Sequence, residues 1–383
     1  MNRNQQIAVV VGLGVVVFLG ILVFTTGSQP PSTAIATATV TPTASATTSG
    51  TASAQASPTS APTAAATFRP LTRPGLVTRR GQDTILRTES DVAPLRTLPG
   101  GVFSADSARI AYWTDSGGTA ALHVLELPSS DTVVSSFPNL RGGGIAWSVD
   151  GSGLLVSLAE PDPQFFIPRI VMAVEIGPRK SREVYRGIGP SGASVMPLIW
   201  RGPPEVFVMY ETGPGGFHFG YTVVRPGSPP VRTEPDGRVS GMQASSDGAL
   251  VQGYWLDDKA VRIWQAEDFS RKTAELTIAP DTMSQPRWWP GRREVVYARG
   301  LQDGGSFKDQ RIERWDPATA ARSTVLTMPT SPQLTAYFLR ADGSGVLTQT
   351  GIGTWEVTDL RTNAKSPVPL QPGEVILSTV MVP

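Results

Sequence analysis

One short phrase recurs between residues 102 and 349 of this 383-residue chain, and the distance between its copies restricts the fold more than any other feature. Each copy joins a short β-rich run through a turn to a longer β-rich run. Successive turn positions lie 44, 51, 46, 43 and 52 residues apart. These positions are Ser107, Gly151, Gly202, Gly248, Gly291 and Gly343. Repeats of roughly 40 to 50 residues are typical of propeller blades.

The copies carry the chemistry of β-hairpins. Residues 145–157 read IAWSVDGSGLLVS and residues 337–349 read YFLRADGSGVLTQ, with an Asp-Gly turn between the two runs. A second hairpin follows in most copies, as in HVLELPSSDTVVSSF at 123–137. After residue 68 no apolar stretch has helical periodicity. We therefore predict an all-β radial array with four strands in each repeat.

Two phrases carry a resemblance to a known repeat. They are FSADS at 103–107 with RIAYW at 109–113, and AWSVDG at 146–151. They resemble the TolB-like, or WD40-like (PD40-type), β-propeller repeat, and at the level of pattern the resemblance covers nearly all of 76–383. Two copies depart from it, with Arg-Gly-Pro-Pro at 201–204 and Pro-Gly-Arg at 290–292. The resemblance implies the fold but no particular activity, because this fold serves many functions.

Two β-rich pieces remain outside the six copies, at 76–98 and 375–382. Left alone, the apolar second piece would be an aggregation-prone edge strand. Pairing it with the first piece makes a seventh blade and closes the ring. We therefore predict a seven-bladed β-propeller over residues 68–383. The alternative is six blades with a loose N-terminal β-extension.

The N-terminal 67 residues have a different composition. Residues 7–24 are apolar or glycine, and two threonines extend the uncharged run to residue 26, which is long enough for one transmembrane helix. Arg3 precedes this run and no charge follows it before Arg69, so residues 1–6 should be cytoplasmic and the remainder outside. A cleaved signal peptide and a secreted product are the alternative. Residues 27–67, of which 35 are Thr, Ser, Ala or Pro, are predicted to form a disordered stalk.

The composition excludes several kinds of binding and catalytic site from the predicted propeller. Residues 68–383 carry 32 basic and 32 acidic side chains, and this neutral balance argues against nucleic-acid binding. The absence of cysteine excludes disulfides, thiolate metal sites and cysteine nucleophiles. The histidines, His123 and His218, are too few for an imidazole-rich metal centre. We expect no catalytic residue, metal or cofactor, and we expect most tryptophans to pack between blades.

The loops that enter the innermost strands, and those between second and third strands, are the predicted binding surface. The adjacent phenylalanines of the loop at 160–168 are the predicted apolar anchors. The candidate partner-binding residues are Phe165, Phe166, Arg141, Gln243, Gln285 and Arg287. We predict a membrane-anchored, extracytoplasmic module that binds or scaffolds an unidentified protein, peptide or glycan. The alternative is a lyase or hydrolase that uses carboxylates and arginines in the channel.

Overall fold

All regular secondary structure in the described part of the chain is β-strand, as predicted. The structure is a computed structural model that describes residues 73–382 except 128–129, 163–166, 188–192, 214–217, 235–236, 238, 256–258, 279–281, 284–285, 304–305, 329–335 and 352. The predicted helix at 7–26 and stalk at 27–67 lie outside these residues. Within them, no helix has the length and hydropathy needed to cross a membrane.

The strands form seven antiparallel blades around a central channel. Blade 1 contains β1 (Arg73–Arg80), β2 (Asp83–Thr88) and β3 (Arg96–Leu98). Blade 2 contains β4 (Val102–Phe103), β5 (Arg109–Ser116), β6 (Thr119–Glu126) and β7 (Ser130–Pro138). Blade 3 contains β8 (Arg141–Trp147), β9 (Gly153–Ala159), β10 (Ile170–Glu175) and β11 (Lys180–Arg186). Blade 4 contains β12 (Ser194–Arg201), β13 (Val206–Thr212), β14 (His218–Val224) and β15 (Val231–Thr233).

The remaining blades follow the same order from the channel outwards. Blade 5 contains β16 (Val239–Ala244), β17 (Leu250–Trp255), β18 (Ala260–Gln265) and β19 (Asp268–Thr277). Blade 6 contains β20 (Thr282–Met283), β21 (Arg287–Trp288), β22 (Val295–Asp303), β23 (Ser306–Trp315) and β24 (Arg322–Thr327). Blade 7 contains β25 (Tyr337–Leu339), β26 (Gly345–Gly351), β27 (Thr354–Asp359) and β28 (Lys365–Val368). The last strand, β29 (Glu374–Val382), returns to blade 1.

The recurring phrase forms the inner hairpin of each blade. In blades 2 to 7 the last or, in blade 4, the penultimate residue of the inner strand pairs with the residue seven positions later. These pairs are Phe103↔Ile110, Trp147↔Leu154, Trp200↔Phe207, Ala244↔Val251, Trp288↔Val295 and Leu339↔Val346. The constant offset confirms that the copies are equivalent.

The ring closes as predicted, with β29 as the innermost strand of blade 1. It runs antiparallel to β1 from Arg73↔Val382 to Arg80↔Glu374. The blade order β29-β1-β2-β3 thus joins the two pieces that the repeats had left over. The six-bladed alternative is wrong, because the N-terminal strands are fully paired within a blade.

The core lies between adjacent blades, since each pair of neighbours encloses a hydrophobic cluster within the described residues. The predicted packing of the tryptophans is confirmed. The buried tryptophans of these clusters are Trp200, Trp255, Trp264, Trp289, Trp315 and Trp355. Trp113, Trp147 and Trp288 pack against them with part of their surface exposed.

The ring has a lower and an upper face. The lower face carries the turns between first and second strands, at 104–107, 148–151, 201–205, 245–248, 289–293 and 340–343. In blade 1 the two strand ends Arg73 and Val382 occupy the place of that turn. The upper face is the one at which the inner strands begin, for example at Arg141 and Ser194.

Candidate functional site

The lower end of the channel opens into an uncharged cavity of about 220 Å³, which we call the lower mouth. Inner strands and turns of blades 2 to 5 converge on it. Its lining consists of Val102, Phe103, Ala105, Trp147, Ser148, Val149, Leu198, Ile199, Ala244, Ser245, Ser246 and Gly248. The lining contains two large aromatic rings, several aliphatic side chains and serine hydroxyls. This arrangement suits an apolar group that enters from the lower face.

Trp147 is fixed in the wall of the lower mouth by contacts to blade 2. Its indole Nε1 donates a hydrogen bond of 2.9 Å to the Val102 carbonyl oxygen. The Arg109 guanidinium lies over the indole ring at 4.8 Å from the centroid, a cation–π geometry. Because the polar nitrogen is already satisfied, the ring presents apolar surface to the cavity.

A glycine lets the turn of blade 5 approach the turn of blade 3 across the lower mouth. Gly248 has a φ of +63°, and a Cβ there would lie 2.6 Å from Cγ2 of Val149. A side chain at residue 248 is therefore opposed both by backbone conformation and by space. The sequence phrase that predicted the hairpin thus also shapes the mouth.

The Ser-x-Asp phrase of the repeats builds these turns. In blade 3, Ser148 Oγ donates to Asp150 Oδ1 at 2.7 Å and accepts from the Gly153 N–H at 2.8 Å. Equivalent Ser–Asp hydrogen bonds join Ser104 to Asp106 and Ser245 to Asp247. The backbone N–H of Ser152 and the hydroxyl of Ser148 hold the pKa of the Asp150 carboxyl below its ordinary value. The role of these aspartates is therefore to stabilise the turns.

A second and larger cavity of about 650 Å³, the side groove, lies beside the lower mouth on the same face. Its lining consists of Arg109, Ser148, Asp150, Ser152, Glu175, Ile176, Gly177, Pro178, Trp200, Gly202, Pro203 and Glu205. Glu205 accepts hydrogen bonds from Nη2 of Arg182 at 2.6 and 2.7 Å. Ser148 lines both cavities, so only the turn of blade 3 separates them.

The predicted partner-binding residues do not form one cluster. Arg141 is the first, exposed residue of β8 and lies on the upper face, as expected. Gln243 is the penultimate residue of β16, and its Oε1 accepts from Gln252 Nε2 at 3.1 Å. The Arg287 guanidinium lies over the Phe338 ring at 4.9 Å. Phe165, Phe166 and Gln285 lie outside the described residues.

The expected position of Gln243 and Arg287 in loops that enter the inner strands requires correction. Both lie near the lower ends of their strands, because β16 begins at Val239 and the inner edge of blade 6 begins at Thr282. A register shift between Ser240 and Gln243 lengthens β16. Whether these residues bind a partner stays a prediction.

The two histidines occupy separate blades. His123 in β6 stacks on Tyr112 with centroids 4.8 Å apart, and its Nδ1 lies 3.4 Å from Asp131 Oδ2. His218 is buried at the start of β14, edge-on to Tyr210 at 4.5 Å. Burial lowers the pKa of His218 to about 4, so its ring is neutral at pH 7. Among the described residues, no group of three or more His, Asp or Glu is placed to hold a metal ion.

Sequence reasoning missed the lower mouth. Its apolar residues come from inner strands and turns of four different repeats, where single residues such as Leu198 and Ala244 read as ordinary core. One signal was available, because Phe103, Trp147 and Ala244 occupy the same repeat position just before the turn. Equivalent positions in a propeller meet around one channel.

No known protein family matches this chain, and no curated protein matches it in sequence. Solved structures similar to it include an oligogalacturonate lyase in complex with manganese, at 14% identity and a TM-score of 0.49, covering 77% of this chain and 84% of that one. A periplasmic gluconolactonase of Pseudomonas aeruginosa is 15% identical with a TM-score of 0.46, covering 81% and 96%. TolB from Acinetobacter baumannii is 14% identical with a TM-score of 0.40, covering 81% and 66%. Similarities of this degree do not indicate what activity this chain has.

Proposed function

We propose that this protein is a binding or scaffolding module. In this proposal the helix at 7–26 anchors the chain in the cytoplasmic membrane with its N-terminus inside, and the stalk at 27–67 holds the propeller outside. The partner is a protein, peptide or glycan. One observation carries the binding function, namely the uncharged, aromatic-lined lower mouth at the end of the channel.

The chemistry of this lining favours recognition. Phe103, Trp147 and Leu198 offer apolar surface that gains roughly 25 cal/mol for each Å² removed from water. Binding energy commonly concentrates where one anchor group fills such a pocket. Catalysis by acid–base chemistry instead draws on ionisable groups that converge in a cleft.

The test is partner capture from intact cells by the full-length chain, extracted in mild detergent and analysed for bound protein and glycan. Ser246→Phe places a ring on the exposed rim of the lower mouth, and Ala244→Phe fills the cavity from its wall. We expect either variant to reduce capture at least tenfold. Ala318→Phe, at an exposed turn of blade 6, is the matched control and should capture normally. Unchanged thermal melting of Ser246→Phe separates lost binding from lost folding.

A second comparison tests the loop face against an enzymatic function. Replacing Phe165 and Phe166 together by serine removes the predicted anchors, whereas Arg287→Ala removes a cation that lies over the Phe338 ring between inner strands of blades 6 and 7. A binder that uses the loop should lose about 2 kcal/mol or more with the first change and little with the second. Loss of turnover on a substrate with Arg287→Ala alone would reject the binding proposal in favour of a lyase or hydrolase.

A further inference from the structure

We infer that the lower face docks a peptide segment in which a large apolar side chain neighbours a basic one. The apolar side chain enters the lower mouth and the basic one lies in the side groove. This inference rests on the proposed function and specifies the chemistry of the partner.

The apolar half of the surface is open to solvent. Val102 and Val149 are 39% and 37% exposed at the rim. Phe103 and Trp147 are half-buried and form the wall behind them. A cavity of about 220 Å³ accommodates a single large side chain and not a whole domain. An extended segment that inserts one anchor fits this shape.

The side groove supplies an excess of negative charge. Three carboxylates line it, those of Asp150, Glu175 and Glu205, against one lining cation, Arg109. Arg182 is bound to Glu205, and the Arg109 guanidinium is stacked on Trp147. Among the described residues, the donors to Asp150 are neutral, namely the hydroxyls of Ser148 and Ser152 and the Ser152 N–H. Charge complementarity therefore favours a Lys or Arg side chain in this groove.

The turn of blade 3 holds the two halves in fixed relation. The Val149 N–H donates to the Trp200 carbonyl oxygen at 2.9 Å, and Ser148 and Trp200 form a parallel bridge. Because Ser148 lines both cavities, a segment that crosses this turn places nearby residues in each of them. A peptide is favoured over an acidic glycan, because the excess of carboxylates would repel the glycan.

The experiment selects random 12-residue peptides displayed on phage against the full-length chain, tagged at its N-terminus and held in detergent. We expect enrichment of an aromatic or large aliphatic residue within about three positions of Lys or Arg. A synthetic enriched peptide should bind at least tenfold more weakly to Ser246→Phe and about three- to tenfold more weakly to Glu175→Gln. The Ala318→Phe control should bind it normally, and exchange of its basic residue for Glu should abolish binding.

The outcomes separate this inference from the proposed function. No enrichment, enrichment of acidic peptides, or binding indifferent to Ser246→Phe and Glu175→Gln each overturn the inference. If the cellular capture experiment then yields a glycan or a second copy of this chain that Ser246→Phe releases, the binding function stands with a different partner. If the selection succeeds but cells yield no partner of any kind, the peptide surface stands and the cellular role is rejected.

Discussion

At the scale of single residues, a buried ion pair fastens the closing blade. The Arg87 side chain is fully buried and donates from Nε to Glu374 Oε1 at 2.8 Å. Its Nη1 donates to the carbonyl oxygens of Thr88 and Asp91, and its Nη2 donates to that of Pro369 at 2.8 Å. The guanidinium therefore connects β2, β29 and the segment that follows β28. Such a cation has partners for nearly all of its donors, which is the condition for a stable buried pair.

Arg87→Met should lower the free energy of unfolding by about 3 to 5 kcal/mol, because it leaves the Glu374 carboxylate buried without its cation. Chemical denaturation at pH 7 measures the loss. The double variant Arg87→Met with Glu374→Gln should recover part of it, since no uncompensated charge remains. Equal stability of the single variant and the wild type would contradict the fastening role of this pair.

The same pair predicts sensitivity to acid. Burial raises the pKa of Glu374, but hydrogen bonds from the Gln371 N–H and Arg87 outweigh it and hold the pKa below the ordinary value of 4.5. A carboxyl whose pKa is depressed in the folded state stabilises the fold above pH 4.5 and ceases to do so as pH falls through the folded pKa. This residue therefore contributes to acid unfolding only below about pH 4.5.

As the pH falls, protonation of His218 should begin to destabilise the fold at a higher pH than protonation of Glu374 does. Its pKa falls from 6.5 to about 4 in the fold, and within the described residues neither ring nitrogen has a hydrogen-bond partner. The neutral His218 ring contributes up to about 3 kcal/mol to the free energy of unfolding. This contribution is complete above pH 6.5 and is lost as the pH falls towards 4. In the His218→Phe variant, the melting temperature should fall less between pH 6.5 and pH 4 than it does in the wild type. An unchanged pH profile in that variant would show that His218 does not cause the effect.

At the scale of elements, the inner hairpins could be read from the sequence and the edges of blades could not. The Ser-x-Asp phrase at Ser148 and Ser245 forms local hydrogen bonds, so it marks its turn whatever surrounds it. The register shift in β16 between Ser240 and Gln243 has no such mark, because it arises from the pairing of β16 with β17 and not from a local turn. The lower mouth was hidden for the same reason. Its residues are brought together only by ring closure.

The closing strand β29 supports two inter-blade clusters at once. Val380 and Val382 pack towards blade 2, while Ile376 packs towards blade 7. Deleting residues 375–383 should therefore cost about 5 kcal/mol or more and expose the inner edge of β1. Thermal melting and size-exclusion chromatography measure stability and self-association. Removal of Pro383 alone is the control. A truncated chain that melts like the wild type and stays monomeric would refute the importance of closure.

At the scale of the whole molecule, the proposed anchoring predicts where a protease acts. The stalk at 27–67 should be accessible from outside, because the proposal assigns the N-terminus to the cytoplasm from the charges that flank the apolar run. Protease added to intact cells should release a fragment near residues 68–383, detected by mass spectrometry. Protection of the propeller until the membrane is opened would reverse the orientation. Release without protease would instead indicate a cleaved signal peptide.

Pairing β29 with β1 has a consequence for synthesis. Strands β1 to β3 emerge early, but their innermost partner follows residues 99–373. At about 5 to 20 residues per second, that interval lasts roughly 15 to 60 s. Throughout it, β1 presents a bare row of peptide groups to every other nascent chain nearby. A ribosome that stops within this stretch releases a product with no means of covering that row, which makes it a substrate for chaperones and proteases.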